Sequence, residues 1–71
     1  METQGITAYR VYGKDKSMKR FAPLNLSQGK FVGNLIYATL IYSKESADKA
    51  LAHLIEENPE FEFKLKTAHN S

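Results

Sequence analysis

The chain has no cysteine and no tryptophan, and among its 71 residues there are only two prolines, two histidines and four glycines. Without cysteine there is neither a disulfide nor a thiolate metal site, so a domain this short must be held by its core, with or without a partner's help. A chain of this size hides only about 60% of the surface its unfolded form exposes, and marginal stability follows. Two histidines do not make a metal set. His53 falls on the polar side of an expected helix and His69 near the C-terminal end, with no third ligand at sensible spacing. Long hydrophobic runs are also missing. The longest, Leu35 to Tyr42, is far short of the roughly 20 residues a membrane helix needs, and no membrane association is expected. The start, Met1-Glu2-Thr3-Gln4-Gly5, is acidic and polar where a secretory signal is basic and then apolar, which makes a cytoplasmic location the expectation.

Catalytic patterns are absent as well. Gly29-Lys30 lacks the preceding glycine spacing of a phosphate loop, and Gly33 does not supply it. No serine has a histidine and an acid at a convincing spacing. Glu56 and Glu57 diverge on a helix, while Glu60 and Glu62 share a strand face with Lys64 and Lys66, a pattern that serves solubility and edge protection. The chain is therefore expected not to be an enzyme, with no cofactor and no small-molecule substrate.

What is present is an ordinary globular composition, 42% hydrophobic and 25% charged, expected to form one domain over residues 1–71 with flexible ends at 1–5 and 67–71. The net charge is only +2, but it is unevenly distributed. Residues 1–34 carry six cations against two acids, a net of +4, and residues 35–71 carry four lysines against six acids, a net of −2. This asymmetry is the compositional pointer to an anionic partner.

Ile6 to Tyr12 is rich in β-branched and aromatic residues and stops at Gly13-Lys14-Asp15-Lys16-Ser17, so it is expected to form a hairpin with a run resuming at Met18. Pro23 marks the end of that second strand or an edge position. Leu24 to Asn34 is expected to be a loop, with Lys30-Phe31-Val32 tending to extended backbone. The uncharged run Leu35-Ile36-Tyr37-Ala38-Thr39-Leu40-Ile41-Tyr42 predicts a third strand buried on both faces. Ser43 is a helix N-cap. Ala47, Ala50, Leu51, Leu54 and Ile55 then form an apolar stripe, and Pro59 ends the helix. Glu60 to Lys66 alternates strictly, placing Phe61, Phe63 and Leu65 on one strand face and charges on the other. The fold class is therefore α+β, a two-layer domain in β-β-β-α-β order, with a mainly antiparallel sheet of about four strands and one helix on one face. The last strand is expected to run parallel to the strand before the helix.

Lys30-Phe31-Val32-Gly33-Asn34-Leu35 resembles the shorter ribonucleoprotein motif of RNA-recognition domains, whose aromatic residue stacks a base. Nothing downstream matches the family's longer motif. The order of three strands and a helix, with Tyr9-Arg10-Val11-Tyr12-Gly13-Lys14 early, is also similar to small N-terminal DNA-binding domains of tyrosine recombinases, over about half the chain, as a fold-level analogy.

Two functional expectations result. The first is a non-enzymatic binding module whose uncovered sheet face meets a protein partner, most simply a second copy in a homodimer. That face is drawn from Ile36, Ala38, Leu40 and Tyr42, or from the alternate set Leu35, Tyr37, Thr39 and Ile41. The second is nucleic-acid binding through Arg10, Lys14, Lys16, Lys19, Arg20 and Lys30, interleaved with Tyr9, Tyr12, Phe21 and Phe31.

Overall fold

A computed structural model of the chain describes residues 6–70, so the expectation for residues 1–5 lies outside the described part. Four strands and one helix make two layers: β1 (Ile6–Lys14), β2 (Ala22–Asn25), β3 (Lys30–Phe31), α1 (Lys44–Glu57) and β4 (Glu62–Asn70). The sheet is antiparallel throughout, in the order β3-β2-β1-β4. The α+β class and the helix boundaries agree with the sequence, and β1 and β2 pair as an antiparallel hairpin, but the second strand is Ala22–Asn25 and not a run from Met18. Pro23 lies inside that strand, between β1 and β3, where its carbonyl accepts from the Val32 N–H at 3.0 Å, and Leu24 and Asn25 belong to the strand and not to the expected loop.

α1 starts where its cap predicts. The Ser46 backbone N–H donates to Ser43 Oγ at 3.2 Å, and Glu45 sits in the first turn, where its charge complements the helix dipole. At the other end both the backbone and the side-chain N–H of Asn58 donate to the Leu54 carbonyl, and Pro59 follows. Ala47 is fully buried and Ala50, Leu51 and Leu54 are half-buried, as the apolar stripe requires, and α1 packs over β1 and β4. Ile55 departs from the expectation, being 49% exposed. At 3.6 residues per turn it lies about 80° round from Ala47, at the margin of the stripe.

The largest correction concerns the run from Leu35 to Tyr42, which is not a strand. Leu35–Tyr37 forms a 3₁₀ turn capped by Asn34, whose Oδ1 accepts from the Ile36 N–H at 3.1 Å. The run then threads along the sheet by single contacts. Asn25 Nδ2 donates to the Tyr37 carbonyl at 2.9 Å, and the Thr39 N–H donates to the Leu24 carbonyl at 3.1 Å. Ile41 exchanges two backbone hydrogen bonds with Tyr9, at 2.7 and 2.9 Å. A short uncharged run does not by its pattern distinguish a strand from a packed loop, and here Asn34 offers its side chain to the backbone and starts a turn instead. Thr67 to Asn70 also departs from the expected tail, since these residues continue β4 along β1.

The last strand finds its partner on the far side of the sheet. β4 pairs antiparallel with β1 from Ile6 opposite Asn70 to Lys14 opposite Glu62. The Ile41 bridge is antiparallel to β1 as well. The chain entering the helix and the strand leaving it therefore run in the same direction, as expected, but flank β1 instead of lying side by side.

Register assigns the two faces. Val11 opposite Leu65 and Gly13 opposite Phe63 point toward the helix, where Leu24, Phe31, Leu54 and Phe61 join them. Phe31, Phe61 and Phe63 form a stacked row with centroid separations of 6.2 and 6.0 Å. Gly13 makes the row possible. A Cβ there would lie 2.9 Å from Phe63 Cδ1 and Cε1 and 3.1 Å from Phe31 Cε1.

Candidate functional site

With α1 covering one face, the other face of β1 and β4 carries the residues of opposite parity. Ala8 pairs with Ala68, Arg10 with Lys66, Tyr12 with Lys64, and Lys14 with Glu62. Ala8 is buried and Ala68 half-buried, so the polar part of this face begins at Arg10. From there outward, four cations and one acid stand on adjacent strands. Glu62 is 3.8 Å from Lys14, a long contact between a half-buried lysine and an exposed acid that carries little energetic weight.

Two rings lie among these cations. Lys64 Nζ sits 4.2 Å from the centroid of Phe21, and Lys66 Nζ sits 4.7 Å from that of Tyr12. Both are cation–π contacts, in which the ammonium rests on the negative face of the ring. Both rings are half-buried, and both lysines are exposed. Arg10 stands directly opposite Lys66 in the strand register, half-buried, and its Nε is buried with no hydrogen-bond partner among the described residues. Like charges directly opposite on neighbouring strands oppose pairing, so Arg10 and Lys66 cost the fold something that an apolar or oppositely charged pair would not.

Of the six cations singled out in the sequence, Arg10 and Lys14 stand on this face. Lys16, Lys19 and Arg20 are exposed in the β1–β2 loop, which continues from the Lys14 end. Lys30 is apart, on the outer strand β3. Of the interleaved aromatics, only Tyr12 and Phe21 belong to the open face. Tyr9 has the parity of the helix side, and Phe31 stacks on Phe61 there, so the base-stacking role that the ribonucleoprotein resemblance implies for Phe31 is corrected. Lys64 and Lys66 were missed as members of the site. Their alternation with Phe63 and Leu65 already put them opposite the helix, but only the β1–β4 pairing sets them beside Arg10 and Tyr12.

In the β1–β2 loop, Asp15 Oδ1 accepts from the Ser17 N–H at 2.8 Å and from Ser17 Oγ at 2.7 Å. These hydrogen bonds hold the Asp15 carboxyl below its ordinary pKa, with Lys14 adding a smaller effect in the same direction.

The residues proposed for a protein-binding face do not form one. Ile36 is 75% exposed and Tyr42 is exposed, whereas Ala38 is buried and Leu40 half-buried. In the alternate set, Leu35 and Tyr37 are exposed while Thr39 and Ile41 are half-buried. What remains is an apolar turn, Leu35-Ile36-Tyr37, standing in solvent.

Elsewhere, a cavity of about 130 Å³ between α1 and the β2–β3 end is lined by Leu24, Leu26, Phe31, Leu54, Phe61 and Phe63. It is smaller than the roughly 300 Å³ at which small-molecule sites begin. His53 is exposed, 3.4 Å from Glu57, and the side chain of His69 lies outside the described part. Among the described residues no three His, Asp or Glu side chains converge as a metal site, and no helix is long and apolar enough to cross a membrane. No protein-family model matches this chain, and no curated protein or solved structure does.

Proposed function

We propose that the chain is a non-enzymatic nucleic-acid-binding module that uses the helix-free face of β1 and β4. The observation that carries this is the cross-strand pairing of Arg10 with Lys66 beside Tyr12, Lys64 and Phe21. Cations that would otherwise repel each other are relieved by a polyanion, and rings interleaved with them offer surfaces for bases. Charge is also segregated between the layers. α1 carries two lysines against four acids, a net of −2, so its outer side disfavours the anion that the sheet side attracts.

Fluorescence anisotropy with a labelled oligonucleotide tests the proposal. If all four face cations contact phosphates, the logarithm of affinity falls with the logarithm of salt at a slope of about −3 for a single strand. A double Lys64→Glu, Lys66→Glu variant should lose most of the binding. Absence of salt-sensitive binding to any oligonucleotide removes the proposal.

Self-association is the second reading, supported by the exposed turn Leu35–Tyr37 and by Tyr42. A strictly monomeric protein in sedimentation at high concentration removes it.

A further inference from the structure

The two lysines on the open face occupy the places where bases would stack. Lys64 Nζ lies over the Phe21 ring at 4.2 Å from its centroid and Lys66 Nζ over the Tyr12 ring at 4.7 Å, so one face of each half-buried ring carries an ammonium group from an exposed lysine. An ammonium that stays in contact with water is held on a ring only weakly, whereas a base on the same ring gains dispersion over its area and a phosphate nearby gives the ammonium a full opposite charge. Both exchanges go the same way. Only the second is available to a duplex, which presents phosphates and groove edges but whose base faces are covered by their neighbours.

We infer that this face selects single-stranded nucleic acid, with Tyr12 and Phe21 each stacking an unpaired base as Lys66 and Lys64 leave the rings for adjacent phosphates. The inference rests on the nucleic-acid reading above and adds the strandedness and the exchange. The lysines thus have two states. Over the rings they shield apolar surface in the free protein, and on the phosphates they expose it to the ligand. Arg10 and Lys14 stay on the same face as fixed phosphate contacts at either side of Tyr12.

Three measurements on the intact chain separate the parts of this idea. The first uses a single-stranded oligonucleotide, its abasic counterpart with the same phosphates, and a duplex of equal length. The intact single strand should bind at least about tenfold more tightly than the other two, the scale of one to two stacked bases. In the second, Tyr12→Leu with Phe21→Leu should bring the single strand down to the abasic level at an unchanged salt slope, while Lys64→Gln with Lys66→Gln should lower the slope by about 1.4. The third is an NMR readout that does not depend on any variant folding. With their Nζ over ring faces, Lys64 and Lys66 should show ε-methylene protons shifted upfield by ring current in the free protein, and on saturation with the single strand these should move downfield toward ordinary lysine values. Equal affinity for intact and abasic strands, or lysine signals that stay upfield in the complex, overturns the exchange and leaves electrostatic binding standing. No salt-sensitive binding to any of the three ligands overturns the exchange together with the proposed function.

Discussion

Gly13→Ala tests the division of aromatic residues between the two faces. Gly13 sits opposite Phe63 on the helix side of the sheet, and the added methyl would meet Phe63 Cδ1 and Cε1 at 2.9 Å, where ordinary contact begins at 3.4 Å. Phe63 has to give way by about half an ångström, yet its neighbour Phe61 is stacked at 6.0 Å and Phe61 in turn on Phe31 at 6.2 Å. The opposite direction is blocked too, because Phe31 Cε1 lies 3.1 Å from the same methyl. Overpacking of this kind costs about 1–3 kcal/mol. Replacing glycine by alanine returns about 0.5–1 kcal/mol by restricting the unfolded chain. Because the methyl is blocked on both sides, the cost falls in the upper part of that range, about 2–3 kcal/mol, and the expected net loss is about 1–2.5 kcal/mol, which for a domain of this size is a fall in Tm of about 4–20 °C. Urea titration followed by far-UV circular dichroism should show a lower midpoint at an unchanged m-value. Combining the change with Phe63→Leu, which vacates part of the contact, should shrink the cost of adding the methyl. A Gly13→Ala protein as stable as the parent, or more stable, would refute the packing and with it the assignment of Phe31, Phe61 and Phe63 to the core and of Tyr12 and Phe21 to the site.

Three smaller perturbations probe the frame around the site. Gly29 has φ +64° with nothing within 4 Å of a built Cβ, so Gly29→Ala should cost about 1 kcal/mol through backbone strain alone, and Gly29→Asn less, by urea titration. Ser43→Ala removes the acceptor for the Ser46 N–H and should cost about 1 kcal/mol, read as a lower thermal midpoint; an unchanged midpoint would dissolve the cap's role. The Asp15 carboxyl, held down by the two Ser17 hydrogen bonds, should titrate below its ordinary value in an NMR pH series. A depressed acid contributes stability that is complete above its unfolded pKa and is lost as pH falls through the folded one, so Asp15→Asn should flatten the acid side of the stability profile, and an Asp15 signal titrating at its ordinary value would contradict this.

The parts of the fold that were legible in the sequence are those specified by local chemistry. Ser43, the apolar stripe from Ala47 to Leu54 and Pro59 each act within a few residues, and the helix lies where they put it. The alternation from Glu60 to Lys66 likewise set the faces of β4. Leu35 to Tyr42 was not legible, because its hydrogen bonds go to residues distant in sequence. Asn25, Leu24 and Tyr9 hold it, and Asn34 turns it out of line first. An apolar composition stated that much of this segment would seek cover, but not that Ala38 would find it while Ile36 would stand in solvent.

The same distinction explains why the site was only half visible. Arg10, Lys14, Tyr12 and Phe21 could be proposed from their spacing, whereas Lys64 and Lys66 read as the solvated side of a covered strand. What converts a slight net charge into a concentrated basic face is which strand lies next to β1, and that is a non-local fact. Had β4 paired elsewhere, Arg10 and Lys66 would not confront each other, Tyr12 would lack its lysine, and the six N-terminal cations would be a loose cluster with Lys30 remote from the rest. With β4 in place, four cations gather on the layer opposite an acidic helix. An approaching polyanion then meets attraction on one side of the molecule and repulsion on the other, so the charge distribution orients the encounter before any ring or base comes into contact. Salt should therefore slow association through this face more than it speeds dissociation.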